Sequence, residues 1–305
     1  MKKVLVILGP TASGKTQLAV NLAHRFNGEI ISADSRQIYT GMDIGSGKDL
    51  NEYIINGKTI NYYLIDILSP LKNYSVFNFK NDFKVSYKKI ISKNKLPIVC
   101  GGTALYIESI ILNYKIPKAK PNNVLRQQFE LYSKKKLIET LVSLDKTKYV
   151  PKYHISKRRL IRTIEILNNN NSETINMNMQ DTNNKNNFIV IGLYVERAEL
   201  LKKIKSRLEY RLKHGMIEEV ESLVQAGMPI ERLHYFGLEY RYIGLYLSNQ
   251  IAYNEMIIKL NQEINKFSKR QMTFFRRMEK RGIKIHWFQN NDLKNINTLV
   301  KQSLI

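Results

Sequence analysis

Residues 4–16 decide the fold: Val4-Leu5-Val6-Ile7-Leu8-Gly9-Pro10-Thr11-Ala12-Ser13-Gly14-Lys15-Thr16. The first five are apolar and rich in β-branched side chains, a run that suits a parallel strand buried on both faces. The last eight follow the pattern Gly, four residues, Gly-Lys-Ser/Thr, and residues 17–26 then carry a helical pattern. A strand, a glycine turn and a helix in that order predict a P-loop. Glycine lets the backbone curl so that several N–H groups face one anion. The following helix points the positive end of its dipole at the same place. The candidate phosphate-binding residues are therefore Gly9, Pro10, Thr11, Ala12, Ser13, Gly14, Lys15 and Thr16. Lys15 adds a full charge on the outer phosphates, and the Thr16 hydroxyl is the candidate holder of Mg2+.

Further strands are expected at 29–32, 62–67, 97–100, 188–195 and 284–288, with a helix at 78–92 before the fourth. Strands alternating with helices predict an α/β fold, a P-loop NTPase-like parallel sheet flanked by helices. The alternation stops between the fourth and fifth strands, where Pro117 and Pro121 mark a loop and helical patterns cover 124–144 and 157–167. The domain reading is a first part of the P-loop core at 1–113 and a helical insertion at 114–187. The second part of the core, with the last strands and C-terminal helices, follows at 188–305. The insertion ends in an asparagine-dominated stretch at 168–187, expected to be a mobile surface loop. From Glu196 onward the pattern is nearly all helical, with turns near Gly215, Gly227 and Gly237.

The 305 residues are enough for a sizeable core, and 43% of them are hydrophobic, as in a soluble protein. No apolar run approaches the roughly 20 residues needed to cross a bilayer. Lys2-Lys3 before 4–8 imitates a signal peptide, but the apolar run is too short and leads straight into the glycine motif. A single cysteine, Cys100, excludes an intramolecular disulfide and points to a reducing, cytoplasmic setting. The net charge of +23 favours a polyanionic partner, nucleic acid before membrane. AT-rich coding, visible in the Lys, Asn, Ile and Tyr content, accounts for part of that charge. His24, His154, His214, His234 and His286 are scattered and make no metal set.

A P-loop does not choose among ATPases, kinases and transferases. A hydrolysing ATPase places an acid after an apolar strand; 62–66 could imitate this, but Cys100-Gly101-Gly102 after the fourth strand offers no carboxylate. After the second strand comes Asp34-Ser35-Arg36-Gln37, where open α/β sheets bind ligands. Read alone, Asp34 is equally a base toward a second substrate or a turn residue. Asp43 reads as a structural turn residue.

Four segments occur in order: the P-loop; Asp34-Ser35-Arg36-Gln37; Gly101-Gly102-Thr103; and Ser268-Lys269-Arg270-Gln271-Met272-Thr273-Phe274-Phe275-Arg276-Arg277. Together they resemble the tRNA dimethylallyltransferase family, the isopentenyltransferases that prenylate an adenosine beside the anticodon, over residues 2–288. The resemblance implies a transferase in tRNA modification. It would move a dimethylallyl group from dimethylallyl diphosphate to the adenosine N6 amine and release pyrophosphate. It makes Asp34 and Lys15 the catalytic pair, with Mg2+ as cofactor and a tRNA anticodon stem-loop as partner. Asp34, Ser35, Arg36, Gln37 and Thr103 would lie near the target base. Arg158, Arg159, Arg162, Lys269, Arg270, Gln271 and Arg277 would contact tRNA, and Lys203 and Arg207 would reach the pyrophosphate. A monomer with no membrane association is expected.

Residues 264–281 read as a helix. At about 100° per residue, Lys266, Arg270, Arg277 and Arg281 share one edge, beside a stripe of Ile264, Phe267, Phe274, Phe275 and Met278 expected to be buried. The chain departs from the family pattern in several places. Lys203 replaces an arginine and loses its bidentate fork. Phe274 replaces a common Trp, Tyr62-Tyr63 a common His pair, and Gly45-Ser46-Gly47-Lys48-Asp49 the usual Gly-Thr-Ala-Lys-Pro. The insertion is also short. The competing readings are a small-molecule kinase, which would consume ATP, and a nucleic-acid-binding ATPase, which RNA would stimulate.

Overall fold

The computed structural model describes residues 3–117, 121–144, 156–168 and 182–304. The chain divides into two compact units, Met1–Asn113 with Asp181–Ile305, and Tyr114–Gln180. In the first unit the chain runs β1 (Val4–Leu8), α1 (Lys15–Arg25), β2 (Gly28–Ser32), β3 (Ile54–Ile55), β4 (Lys58–Thr59), β5 (Tyr62–Tyr63), α2 (Val76–Ser92), β6 (Leu96–Gly101) and α3 (Ala104–Ile111). The second unit holds α4 (Asn123–Glu130), α5 (Lys134–Leu144) and α6 (Lys157–Asn168). The first unit resumes with β7 (Phe188–Tyr194), α7 (Arg197–Lys213), α8 (Met216–Gln225), α9 (Ile230–Leu233), α10 (Leu238–Leu247), α11 (Tyr253–Lys280), β8 (Ile285–Gln289) and α12 (Leu293–Leu304).

Six strands form one parallel sheet in the order β5-β2-β6-β1-β7-β8. Every β1 side chain is fully buried, as its unbroken apolar run requires. The register pairs Leu8 with Gly101 and Ser32 with Cys100. The C-terminal ends of β2, β6 and β1 therefore stand side by side, and each opens into one of the motifs above. Leu18, Leu22, Ile296 and Val300 pack from the flanking helices onto this sheet.

One expected element is corrected. The strand expected at 62–67 is only Tyr62–Tyr63. Leu64 and Asp66 take positive φ (64° and 54°), so the backbone leaves the sheet. The turn delivers the Asp66 carboxylate to Lys48, whose ammonium is buried with a side chain 1% exposed and also pairs with Asp43. Asp66 thus neutralises a buried lysine and does not imitate a metal-supporting acid. The helical pattern at 124–144 is met by two helices, α4 and α5, the second starting where Ser133 Oγ accepts the Lys136 N–H. These helices and α6 enclose Phe129, Leu137, Leu141, Leu160, Ile161 and Ile164.

The asparagine-rich loop lies outside the described residues over 169–181. Residues 182–187 form a 3-10 turn, with Asn184 donating to the carbonyls of Ile110 and Ile111. The compact-unit boundary falls at Gln180. Among the described residues no helix is long and apolar enough to cross a membrane.

Candidate active site

The P-loop joins β1 to α1. Ala12 and Gly14 take left-handed φ (62° and 83°), which turns successive N–H groups to one side. The φ of Gly14 is one that residues with a side chain rarely adopt, so glycine suits this position. The P-loop lines a cavity of about 710 Å³ together with Asp34, Glu52, Cys100, Thr103, Arg207, Arg211, Phe267 and Phe274. Ser13 Oγ is buried in that wall and has no hydrogen-bond partner among the described residues. A hydroxyl left unpaired costs about 1–3 kcal/mol, so this wall suits a ligand that brings acceptor oxygens.

Lys15 donates to the Pro10 carbonyl (2.7 Å). Burial pushes its ammonium down to about 8, and Arg207 adds to the effect while Asp34 and Glu52 oppose it. Arg207 donates to the Thr11 hydroxyl. Burial and its neighbour Arg211 bring the Arg207 guanidinium down to about 10. Burial raises the Glu52 carboxyl, with Asp49 adding to the rise. Burial drives the Cys100 thiol up to about 12, so it stays protonated and inert as a nucleophile. The wall is cationic where an anion would sit, and its cations are held partly dry.

Asp34 follows β2. One of its oxygens, Oδ1, accepts the Arg36 N–H (2.9 Å) and so forms a turn within its own loop. The other makes no hydrogen bond among the described residues, so the turn role leaves one oxygen free toward the cavity that Asp34 lines. Thr103, after β6, accepts the Ser35 N–H (3.0 Å) and donates to the Ser35 hydroxyl (3.3 Å), which locks the Asp34 loop to the neighbouring strand end. Arg36 donates to the Tyr235 carbonyl.

Some residues expected at an RNA surface point inward. Gln37 is buried, accepts from Ser32 Oγ (2.8 Å) and donates to the Gly47 carbonyl (2.9 Å). Gln271 is buried too. Its Oε1 accepts the Thr11 N–H (2.9 Å) and its Nε2 donates to the Gly102 carbonyl (3.1 Å), a brace between the P-loop and the β6 end. Arg277 lies 3.8 Å from the centre of the Phe274 ring and pairs with Glu108 (2.9 Å), which is wholly buried on α3. Arg281 pairs with the same carboxylate (3.2 Å). Lys269 and Arg270 are exposed, and Arg270 lines the cavity.

The stripe on α11 is half core. Ile264, Phe275 and Met278 are buried, whereas Phe267 is 40% exposed and forms cavity wall with Phe274. Lys203 lines the cavity but pairs with Glu199 (2.6 Å). In the second unit Arg158 and Arg159 are exposed, and Arg162 pairs with Glu165. Glu52, Arg211 and the wall role of Phe267 had no signal in the sequence, since each depends on which distant element it meets.

Among the described residues no cluster of His, Cys, Asp or Glu forms a metal cage. The P-loop hydroxyl at Thr16 lines the cavity and fits Mg2+ arriving on phosphate oxygens, the mode this ion favours.

The model of the family described as IPP transferase matches residues 37–278, and that described as isopentenyl transferase matches residues 2–71. The chain belongs to the IPP transferase family. Curated relatives include a tRNA dimethylallyltransferase of Azobacteroides pseudotrichonymphae, 44% identical over 302 residues and covering 97% of this chain and 96% of the relative. One from Porphyromonas gingivalis is 44% identical over 93% of each chain. Among solved structures, the tRNA isopentenylpyrophosphate transferase of Bacillus halodurans superposes with a TM-score of 0.70 at 29% identity, covering 100% of this chain and 97% of that one. Membership makes the protein a prenyl-transferring enzyme of P-loop fold, and it sets aside the kinase and ATPase readings.

Proposed function

We propose that this IPP transferase moves the dimethylallyl group of dimethylallyl diphosphate to the N6 amine of an adenosine beside the anticodon of tRNA. One observation carries the reading: the phosphate grip and Asp34 open into a single cavity, so a donor diphosphate and an acceptor amine would meet there. The P-loop amides and Lys15 bind the diphosphate. The N6 lone pair attacks the allylic carbon, the carbon–oxygen bond breaks, and its electron pair leaves on diphosphate. The unbonded Asp34 oxygen takes the N6 proton. An exocyclic amine is a weak nucleophile, and a positioned base contributes roughly 10²–10⁴ in rate. Charge gathers on the leaving group, where preorganised donors act most strongly. Mg2+ held at Thr16 would supply further charge neutralisation.

The adenine must leave its stack to reach Asp34, and the Phe267 and Phe274 faces with Arg270 offer it a surface. Arg158 and Arg159, on the helical insertion, would take tRNA phosphates. The test is mass analysis of tRNA nucleosides after incubation with dimethylallyl diphosphate. Asp34→Asn should lower single-turnover transfer by roughly 10²–10⁴ and leave diphosphate affinity unchanged. Unimpaired transfer by that variant removes Asp34 from the chemistry, and no prenylated adenosine from the unaltered enzyme removes the assignment.

A further inference from the structure

Helix α7 turns three cations toward the cavity at four-residue spacing, Lys203, Arg207 and Arg211. Their surroundings differ. Lys203 is tied to Glu199 at the surface. Arg207 is tied to the P-loop hydroxyl of Thr11. Arg211 is 6% exposed and lies flat against the loop that follows β2. Gly47 makes that possible: a Cβ there would stand 2.1 Å from Arg211 Nη2, and the residue's φ is +68°. Among the described residues the partner of Arg211 is Asp49, with Nη2 to Oδ2 at 3.0 Å.

This pairing is lopsided. A guanidinium carries five N–H donors, and a single carboxylate oxygen meets one of them. The Asp49 side chain is 47% exposed, whereas that of Arg211 is 7% exposed. Solvent can take the acid back at little cost, but it cannot reach the base as well. A second guanidinium, Arg207, lies near enough to repel it. The buried Ser13 hydroxyl, which lines the same cavity, has no partner among the described residues. An unpartnered hydroxyl and a buried guanidinium whose ion-pair partner is half exposed line one space, which suits a ligand with several anionic oxygens. Gly47 and Asp49 both stand at departures from the resembled loop pattern noted above.

Resting on the reading of the cavity as a diphosphate site, we propose that Arg211 is a further ligand of the diphosphate oxygens. Asp49 is its counter-ion in the free enzyme, and the arriving diphosphate displaces that carboxylate. Arg211 thereby supplies the cavity with a bidentate-capable cation, which Lys203, paired with Glu199, does not.

The alternative is that Arg211 and Asp49 only fasten the loop to α7. The two differ in sign. Binding of inorganic diphosphate with Mg2+ is measured by calorimetry on the full chain, with melting curves for each variant. Arg211→Met should weaken binding roughly 10- to 100-fold, the worth of a charged hydrogen bond. Asp49→Asn should tighten it roughly two- to fivefold, because the counter-ion no longer competes. In the Arg211→Met background, Asp49→Asn should change nothing. A mere fastening would make both single variants weaken binding together, and that result overturns the proposal, as does unchanged binding by Arg211→Met. If Arg211→Met does not fold, Arg211→Lys replaces it, and the sign of the Asp49→Asn effect decides alone. Loss of binding in Lys15→Ala with none in Arg211→Met leaves the diphosphate site standing and removes Arg211. Absence of binding by the unaltered protein overturns both.

Discussion

Lys15 is the cation whose charge the fold controls most directly, and pH reads it out. Burial takes its ammonium from 10.5 to about 8. That displacement is worth about 3 kcal/mol. Below pH 8 the lysine is charged in both the folded and unfolded chain, and the folded state bears the whole penalty. Between pH 8 and 10.5 the folded chain has released a proton that the unfolded chain keeps, so this group's contribution to stability rises with pH. A bound diphosphate reverses the displacement, because its charge favours the ammonium. At pH 9 roughly 90% of free-enzyme Lys15 is neutral, so binding dimethylallyl diphosphate should take up about 0.9 proton, against about 0.1 at pH 7. The ligand is fully ionised at pH 9 and contributes no proton of its own. Cys100, raised to about 12, stays protonated throughout. Calorimetry in two buffers of different ionisation heat measures the uptake directly. kcat/KM should fall above pH about 8 while kcat stays level, since the saturated enzyme keeps its proton. Lys15→Met should abolish the uptake and raise the melting temperature at pH 7, a gain in stability at the expense of turnover. Uptake near zero at pH 9 in the unaltered enzyme, or a Lys15→Met variant that takes up as much, refutes the account.

Two other outcomes are expected. RNA binding should weaken with salt at a log–log slope of roughly −0.7 per phosphate contact. Arg158→Ala or Arg270→Ala should flatten that slope, whereas Arg277→Ala should leave it and instead lower the melting temperature, because it strips a partner from the buried Glu108 carboxylate. Filter binding across a salt series and a melting curve separate the two, and a slope that falls with Arg277→Ala returns that arginine to the RNA surface. Gln271→Leu should cost about 1–3 kcal/mol of stability by leaving the Thr11 N–H and Gly102 carbonyl unmet, and should weaken diphosphate binding with them. Wild-type affinity in that variant would show that the P-loop holds its shape without the brace.

The parts of this molecule that the sequence made legible are those settled within a few residues. The buried run at 4–8, the glycines and the following helix determine one another locally, and the sheet, the P-loop and the position of Asp34 follow from them. The strand expected at 62–67 failed because its apolar pattern was right but its backbone answers to Lys48, a buried charge on another loop that needs Asp66. The basic edge on α11 shows the same limit. Helical spacing placed Arg270, Arg277 and Arg281 on one side of the helix, yet spacing cannot reveal that Glu108 waits buried on α3 opposite two of them. A net charge of +23 therefore overstates the cation available to a polyanion. Arg277, Arg281 and Arg162 already face carboxylates. Arg158 and Arg159 have no ion pair among the described residues, and Arg270 reaches Glu263 only at 4.0 Å. Which arginines meet phosphate is decided by where the acids are buried, and that is a property of the fold that residue counting along the chain does not contain.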